Sequence, residues 1–175
     1  MPASGRRLEP SKRAAKVGVL VDDPASEGAR RRGNKKGSGL VNAELAGNLV
    51  AAAIAKAKAD YGRPICVAVC DRYGFLTAFV SMDDAPVRSI QLSQGKAYTS
   101  ARMGVDTDAF LQRLHANNIP ASYFCDDKLT GLPGGCVLKG PGGGVIGAVG
   151  ISGLTPDEDM AIAKALVALA SAEGA

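Results

Sequence analysis

The chain has 175 residues, 46% apolar and 22% charged, an ordinary globular composition that excludes a wholly disordered chain or a disulfide-stapled miniprotein. No apolar run approaches the roughly 20 residues that cross a bilayer. The net charge of +4 is uneven: residues 1–39 carry ten Lys and Arg against four Asp and Glu, whereas residues 40–175 carry eleven against thirteen. The basic character therefore belongs to the leader, and a mildly acidic body with no Trp and only eight Phe and Tyr argues against a nucleic-acid partner.

In chain order, residues 1–39 read as a basic, flexible leader and 40–175 as the folded domain. The five-residue run Val17–Val21 is too short for the apolar core of a signal peptide, so a cytoplasmic location is expected. Leu45, Leu49, Val50, Ala53 and Ile54 recur at helical spacing and predict a helix over 41–60, capped by Asn42 and stopped near Gly62 and Pro64. Ile65–Cys70 and Phe75–Met82 flank Asp71-Arg72-Tyr73-Gly74 and read as a hairpin, its first strand apolar on both faces and hence central. Helices are expected over 88–103, with Gly95 inside it, and over 107–117, opened by Asp106 or Thr107.

Residues 119–135 read as irregular and end in Pro133-Gly134-Gly135. A second hairpin follows, Cys136–Lys139 and Val145–Ile151 around a glycine-rich turn. The last helix has the strongest start signal in the chain: Thr155-Pro156-Asp157-Glu158 is a capping box with proline at the first helical position. The order α-ββ-αα-ββ-α predicts an α+β fold, a largely antiparallel sheet flanked by helices.

Several residues could carry chemistry. The glycine-rich strand that runs through Ser152 and Gly153 into a helix N-terminus suits an anion, although Asp157, Glu158 and Asp159 oppose one. Pro133-Gly134-Gly135 is a place where backbone can approach a ligand or another subunit. Lys96 lies mid-helix and is either a solvated charge or a partner for an anionic ligand. Asp71 ends a buried strand, where it either ties a turn or acts as an acid or base. His115 is the sole histidine, which removes the usual hydrolytic triads. Cys66, Cys70, Cys125 and Cys136 lack metal-site spacing and read as buried, reduced thiols, so no metal is expected.

Taken together, Val67-Ala-Val-Cys-Asp71-Arg-Tyr-Gly74, Met82-Asp-Asp-Ala-Pro86, Lys96-Ala-Tyr-Thr99, Leu132-Pro-Gly-Gly135 and Val145 to Asp159 resemble the haem-binding-protein-like family. That family includes the GlcG proteins and the C-terminal domain of the PduO proteins, and the resemblance covers about residues 40–172. It implies a profilin-like domain that assembles into homo-oligomers, octamers among them. A pocket lined by Asp71, Lys96, Thr99, Pro133, Gly134, Gly135, Ser152 and Gly153 is implied as well. Haem is the implied cofactor. Haem-binding relatives can use a histidine near the first helix; this chain has none there, and His115, or a tyrosine such as Tyr98 or Tyr123, is the candidate axial ligand. Two functions compete. One is a binding protein for haem or a small anionic metabolite, accessory to a catabolic or redox pathway. The other is a small deaminase, hydrolase or isomerase acting on a carboxylated intermediate such as an aminomuconate-type ring-cleavage product. There Asp71 would be the acid or base and Lys96 a catalytic or carboxylate-holding residue.

Overall fold

The computed structural model describes residues 40–172; the leader over 1–39 lies outside the described residues. Four helices and four strands follow the expected order: α1 (Ala43–Lys56), β1 (Cys66–Asp71), β2 (Leu76–Ser81), α2 (Arg88–Met103), α3 (Thr107–Ala116), β3 (Gly135–Lys139), β4 (Val145–Ser152) and α4 (Pro156–Ala172). The strands form one antiparallel sheet in the order β2-β1-β4-β3. The fold is α+β as the sequence predicts. No described helix is long and apolar enough to cross a membrane.

Local chemistry explains the element ends. The Asn42 side chain accepts from the Leu45 amide at 2.8 Å and caps α1. At the other end α1 does not simply stop, because its chain widens into a π turn over Ala57–Tyr61. The capping box of α4 forms as expected: the Thr155 amide donates to Glu158 Oε2 at 2.9 Å, and the Glu158 amide points back at Thr155 Oγ1 at 3.4 Å. Asp106 precedes α3 but does not cap it. Its carboxylate instead accepts from the Val137 amide at 2.9 Å, while Thr107 Oγ1 accepts from the Gly135 amide at 2.9 Å. Both amides belong to the edge strand β3, so α3's first residues satisfy donors that would otherwise be an open pairing edge.

Strand alternation divides the sheet into two unlike faces. Val67, Val69, Cys136, Leu138, Val149 and Ile151 point toward α1 and α4 and form the main core with Leu49, Ala53, Ile162 and Leu166. On the other face stand Ala68, Cys70 and Ala148, packed against Ala97 and Ala101 of α2. Gly135 and Gly150, opposite each other in the ladder, lie beneath the same helix. A Cβ added at Gly150 would overlap the Ser93 carbonyl and the Ala97 amide nitrogen, and one at Gly135 would overlap the Lys96 carbonyl. The α2 backbone thus lies directly on the strand backbone, closer than any side chain allows.

Three of the four cysteines are buried and free as expected, but Cys125 is exposed. It follows the short 3-10 turn Ala121–Phe124 in a left-handed conformation on the surface. Burial pushes the Cys70 thiol up to about 12 and raises Cys136 as well, so both stay protonated and inert at neutral pH.

The close seat of α2 predicts that Gly150→Ala destabilises the protein by about 2 kcal/mol or more, since a single methyl must displace helix backbone. Gly142→Ala, where a Cβ meets nothing within 4 Å, should change stability by less than about 0.5 kcal/mol. Urea unfolding of the two variants makes the comparison.

Candidate functional site

Two clefts flank α2. The larger, about 440 Å³, lies between the β1–β2 turn, the outer face of α2 and residues 127–130. Its apolar wall comes from Phe75, Leu76, Leu92 and Leu129; Phe75 and Leu76 are 72% and 51% exposed, an unusual display of apolar surface. Tyr98 stands in this cleft against Gly74, where a Cβ would be 2.7 Å from the ring. Its hydroxyl donates to Asp126 at 2.8 Å. That hydrogen bond raises the Tyr98 phenol above its ordinary range and lowers the Asp126 carboxyl. The Lys128 ammonium lies 5.5 Å from the Tyr98 ring centroid and supplies positive charge at the rim. Gly95 opens the α2 wall to residues 128–130: a Cβ there would sit 3.4 Å from the Lys128 carbonyl, an ordinary contact.

The smaller cleft, about 100 Å³, lies between the first turns of α2 and α4 and takes in Lys96, Pro133, Ser152 and Gly153. Lys96 is 3% exposed. Its ammonium donates to the Ile151 carbonyl at 2.7 Å and to Asp159 Oδ2 at 2.8 Å. Asp159 Oδ1 in turn accepts from the Leu154 amide at 3.1 Å. Burial pulls Lys96 down and pushes Asp159 up, and each charge offsets that cost for the other. Gly134, at φ 122°, lies over the pair, with a Cβ site 2.8 Å from both Lys96 Nζ and Asp159 Cβ. The Pro133-Gly134-Gly135 approach is therefore to this chain's own helix and ion pair.

The remaining predicted residues scatter. Asp71 Oδ1 accepts from the Tyr73 and Phe75 amides at 2.8 and 2.9 Å and ties the β1–β2 turn. Asp71 pairs with Gly147 and Val67 with Ile151. Lys96, bound at Ile151, is thus four residues away along β4, about 13 Å at 3.3 Å per residue. One small substrate does not span both. Thr99 is buried and its Oγ1 accepts from the Thr130 amide at 2.9 Å, holding residues 127–130 to α2. His115 is exposed at the end of α3, in an open depression with Leu114, Asn118, Ile119 and Pro120 that shares no residue with either cleft. Sequence reasoning missed the apolar wall and Lys128. The one available signal was Phe75-Leu76, consecutive large apolar residues at a hairpin end.

Comparison with known proteins adds the family context. The family model described as haem-degrading HbpS-like proteins matches residues 41–168. No curated protein matches the chain. Among solved structures, Klebsiella pneumoniae protein ORFY is 25% identical at a TM-score of 0.69, over 75% of this chain and 91% of that one. PduOC, solved in complex with haem, is 27% identical at 0.67, over 74% and 94%. A double mutant of Streptomyces reticuli HbpS is 26% identical at 0.68, over 84% and 98%.

The buried pair gives a direct stability test. Lys96→Met alone should cost about 3–5 kcal/mol, because it strands the Asp159 charge. In Lys96→Met/Asp159→Asn most of that loss should return, since the amide keeps an acceptor for Leu154 without a charge. Denaturant unfolding of both variants measures the difference.

Proposed function

Because the chain belongs to the HbpS-like family, we propose that it is a small-molecule-binding protein whose ligand lies in the larger cleft and is haem or another flat, carboxylated molecule. The observation that carries this reading is the cleft itself. Its 440 Å³ falls within the roughly 300–1,000 Å³ of ligand pockets. Its apolar wall suits a planar ring system, and Lys128 at the rim suits a carboxylate.

The cleft fits the porphyrin better than the iron. Tyr98 spends its hydroxyl on Asp126, the Cys70 thiol is held protonated, and His115 lies in another depression. Recognition in this reading comes from the ring and its carboxylates, and no reaction step is assigned to iron. Of the two functions weighed on sequence, binding gains support. The acid–base pairing of Asp71 with Lys96 does not, because the two residues stand apart and each is engaged in holding the fold. In the same reading the protein acts as a cytoplasmic homo-oligomer accessory to a catabolic or redox pathway; the exposed apolar residues beside the cleft favour assembly.

Haemin titration followed at the Soret band tests the reading. The expected result is a saturable shift, weakened about tenfold in Lys128→Glu and unchanged in His115→Ala. Metal-free protoporphyrin should compete with haemin. Absence of saturation, or loss of the shift in His115→Ala, contradicts it.

A further inference from the structure

The two edges of the sheet are treated differently. In the order β2-β1-β4-β3 the edge strands are β2 and β3. Two amides of β3 are taken by Asp106 and Thr107. Leu76–Ser81, in contrast, holds no charged residue and no proline, the residues that ordinarily blunt an open edge. The Met82 amide donates to the Ile65 carbonyl at 3.0 Å. Alternation therefore turns the N–H and C=O groups of Val80 toward β1 and those of Phe79 and Ser81 outward. The ends of β2 are also unlike. Arg72, Tyr73, Phe75 and Leu76 stand exposed at its start, and Asp83, Asp84 and Val87, itself 82% exposed, follow its end. Among the described residues neither Arg72 nor either aspartate is in an ion pair.

We propose that β2 pairs antiparallel with β2 of a second copy, about a two-fold axis at Phe79, joining two four-stranded sheets into one. This names a surface for the homo-oligomer of the proposed reading; it rests on that part of the reading and is independent of haem. A two-fold interface must be self-complementary, and this edge is. Phe79 meets its own copy as a cross-strand aromatic pair, and the register sets Thr77 against Ser81. Because strand direction reverses across the axis, the Arg72 end of each copy lies at the Asp83-Asp84 end of the other. A parallel pairing would set like charges together. The same reversal lays Tyr73, Phe75 and Leu76 along the segment of the second copy that carries Val87, so exposed apolar side chains at both ends are covered. Phe75 and Leu76 also wall the larger cleft, and the second copy lengthens that wall. One edge thus carries both halves of the complement, which favours a second copy over an unrelated strand.

Sedimentation equilibrium of the full chain measures the assembly. The wild type should be a dimer or a multiple of one. Ser81→Pro removes an outward N–H and leaves the β1 ladder intact, so it should at least halve the mass while far-ultraviolet circular dichroism stays unchanged. Arg72→Glu should weaken association about tenfold, because two exposed attractive pairs become repulsive. Adding Asp83→Lys to that variant should restore association. Within one copy the two positions lie at opposite ends of a six-residue strand, about 20 Å apart at 3.3 Å per residue, too far to compensate each other. A monomeric wild type would overturn both this proposal and the homo-oligomer of the proposed reading, leaving the edge to a different chain. An oligomer unchanged by Ser81→Pro and Arg72→Glu, or no rescue in the double variant, would overturn the interface alone.

Discussion

The contact between α2 and the sheet sets the geometry of both clefts beside that helix. Ala68, Cys70, Gly135, Ala148 and Gly150 leave that sheet face almost without side chains, and Ser93, Ala97 and Ala101 present an equally slim helix face. Dispersion and packing over such surfaces depend on close fit, because there is little apolar volume to bury. The opposite face solves the same problem differently, with Val, Ile and Leu against α1 and α4. Only on the slim face does a helix lie low enough for a mid-helix lysine to reach across to a β4 carbonyl and the first turn of α4. That reach closes one end of α2 over the small cleft, and the outer face of the same helix becomes a wall of the large one.

Much of this fold was legible because its signals are local. The capping box at Thr155–Glu158, the Asn42 cap, the two hairpins and the helical period after Val41 all depend on neighbours within a few residues. The site was legible only in part. Lys96, Pro133, Ser152 and Gly153 do meet around one cleft, yet nothing near Lys96 in sequence announces Asp159, 63 residues away. Read locally, Asp159 is a first-turn acid that opposes an anion; in three dimensions its charge is already taken. Asp71 and Thr99 illustrate the converse. Each is a polar residue in a motif-rich stretch, and each is spent on backbone amides. Cys125 failed the buried-thiol expectation because it belongs to a surface turn that has no hydrophobic period to predict.

The two clefts differ in kind. The small one sets a buried ion pair beside leucine and proline side chains between two helix starts. The large one is apolar at its wall, carries Lys128 beside Asp127 at its rim, and borrows exposed side chains from a strand end. A family whose structural relatives include a haem complex directs attention to a histidine. Here the sole histidine stands on a separate depression, which is why the proposed reading gives ring recognition to the α2 wall.

Mapping a diamagnetic porphyrin onto the protein tests that assignment most directly. Gallium protoporphyrin added to ¹⁵N-labelled protein should perturb amides of residues 74–76, 91–98 and 127–130, with residues 114–120 unmoved. Perturbations confined to residues 114–120 would place the ligand at His115 and contradict the account.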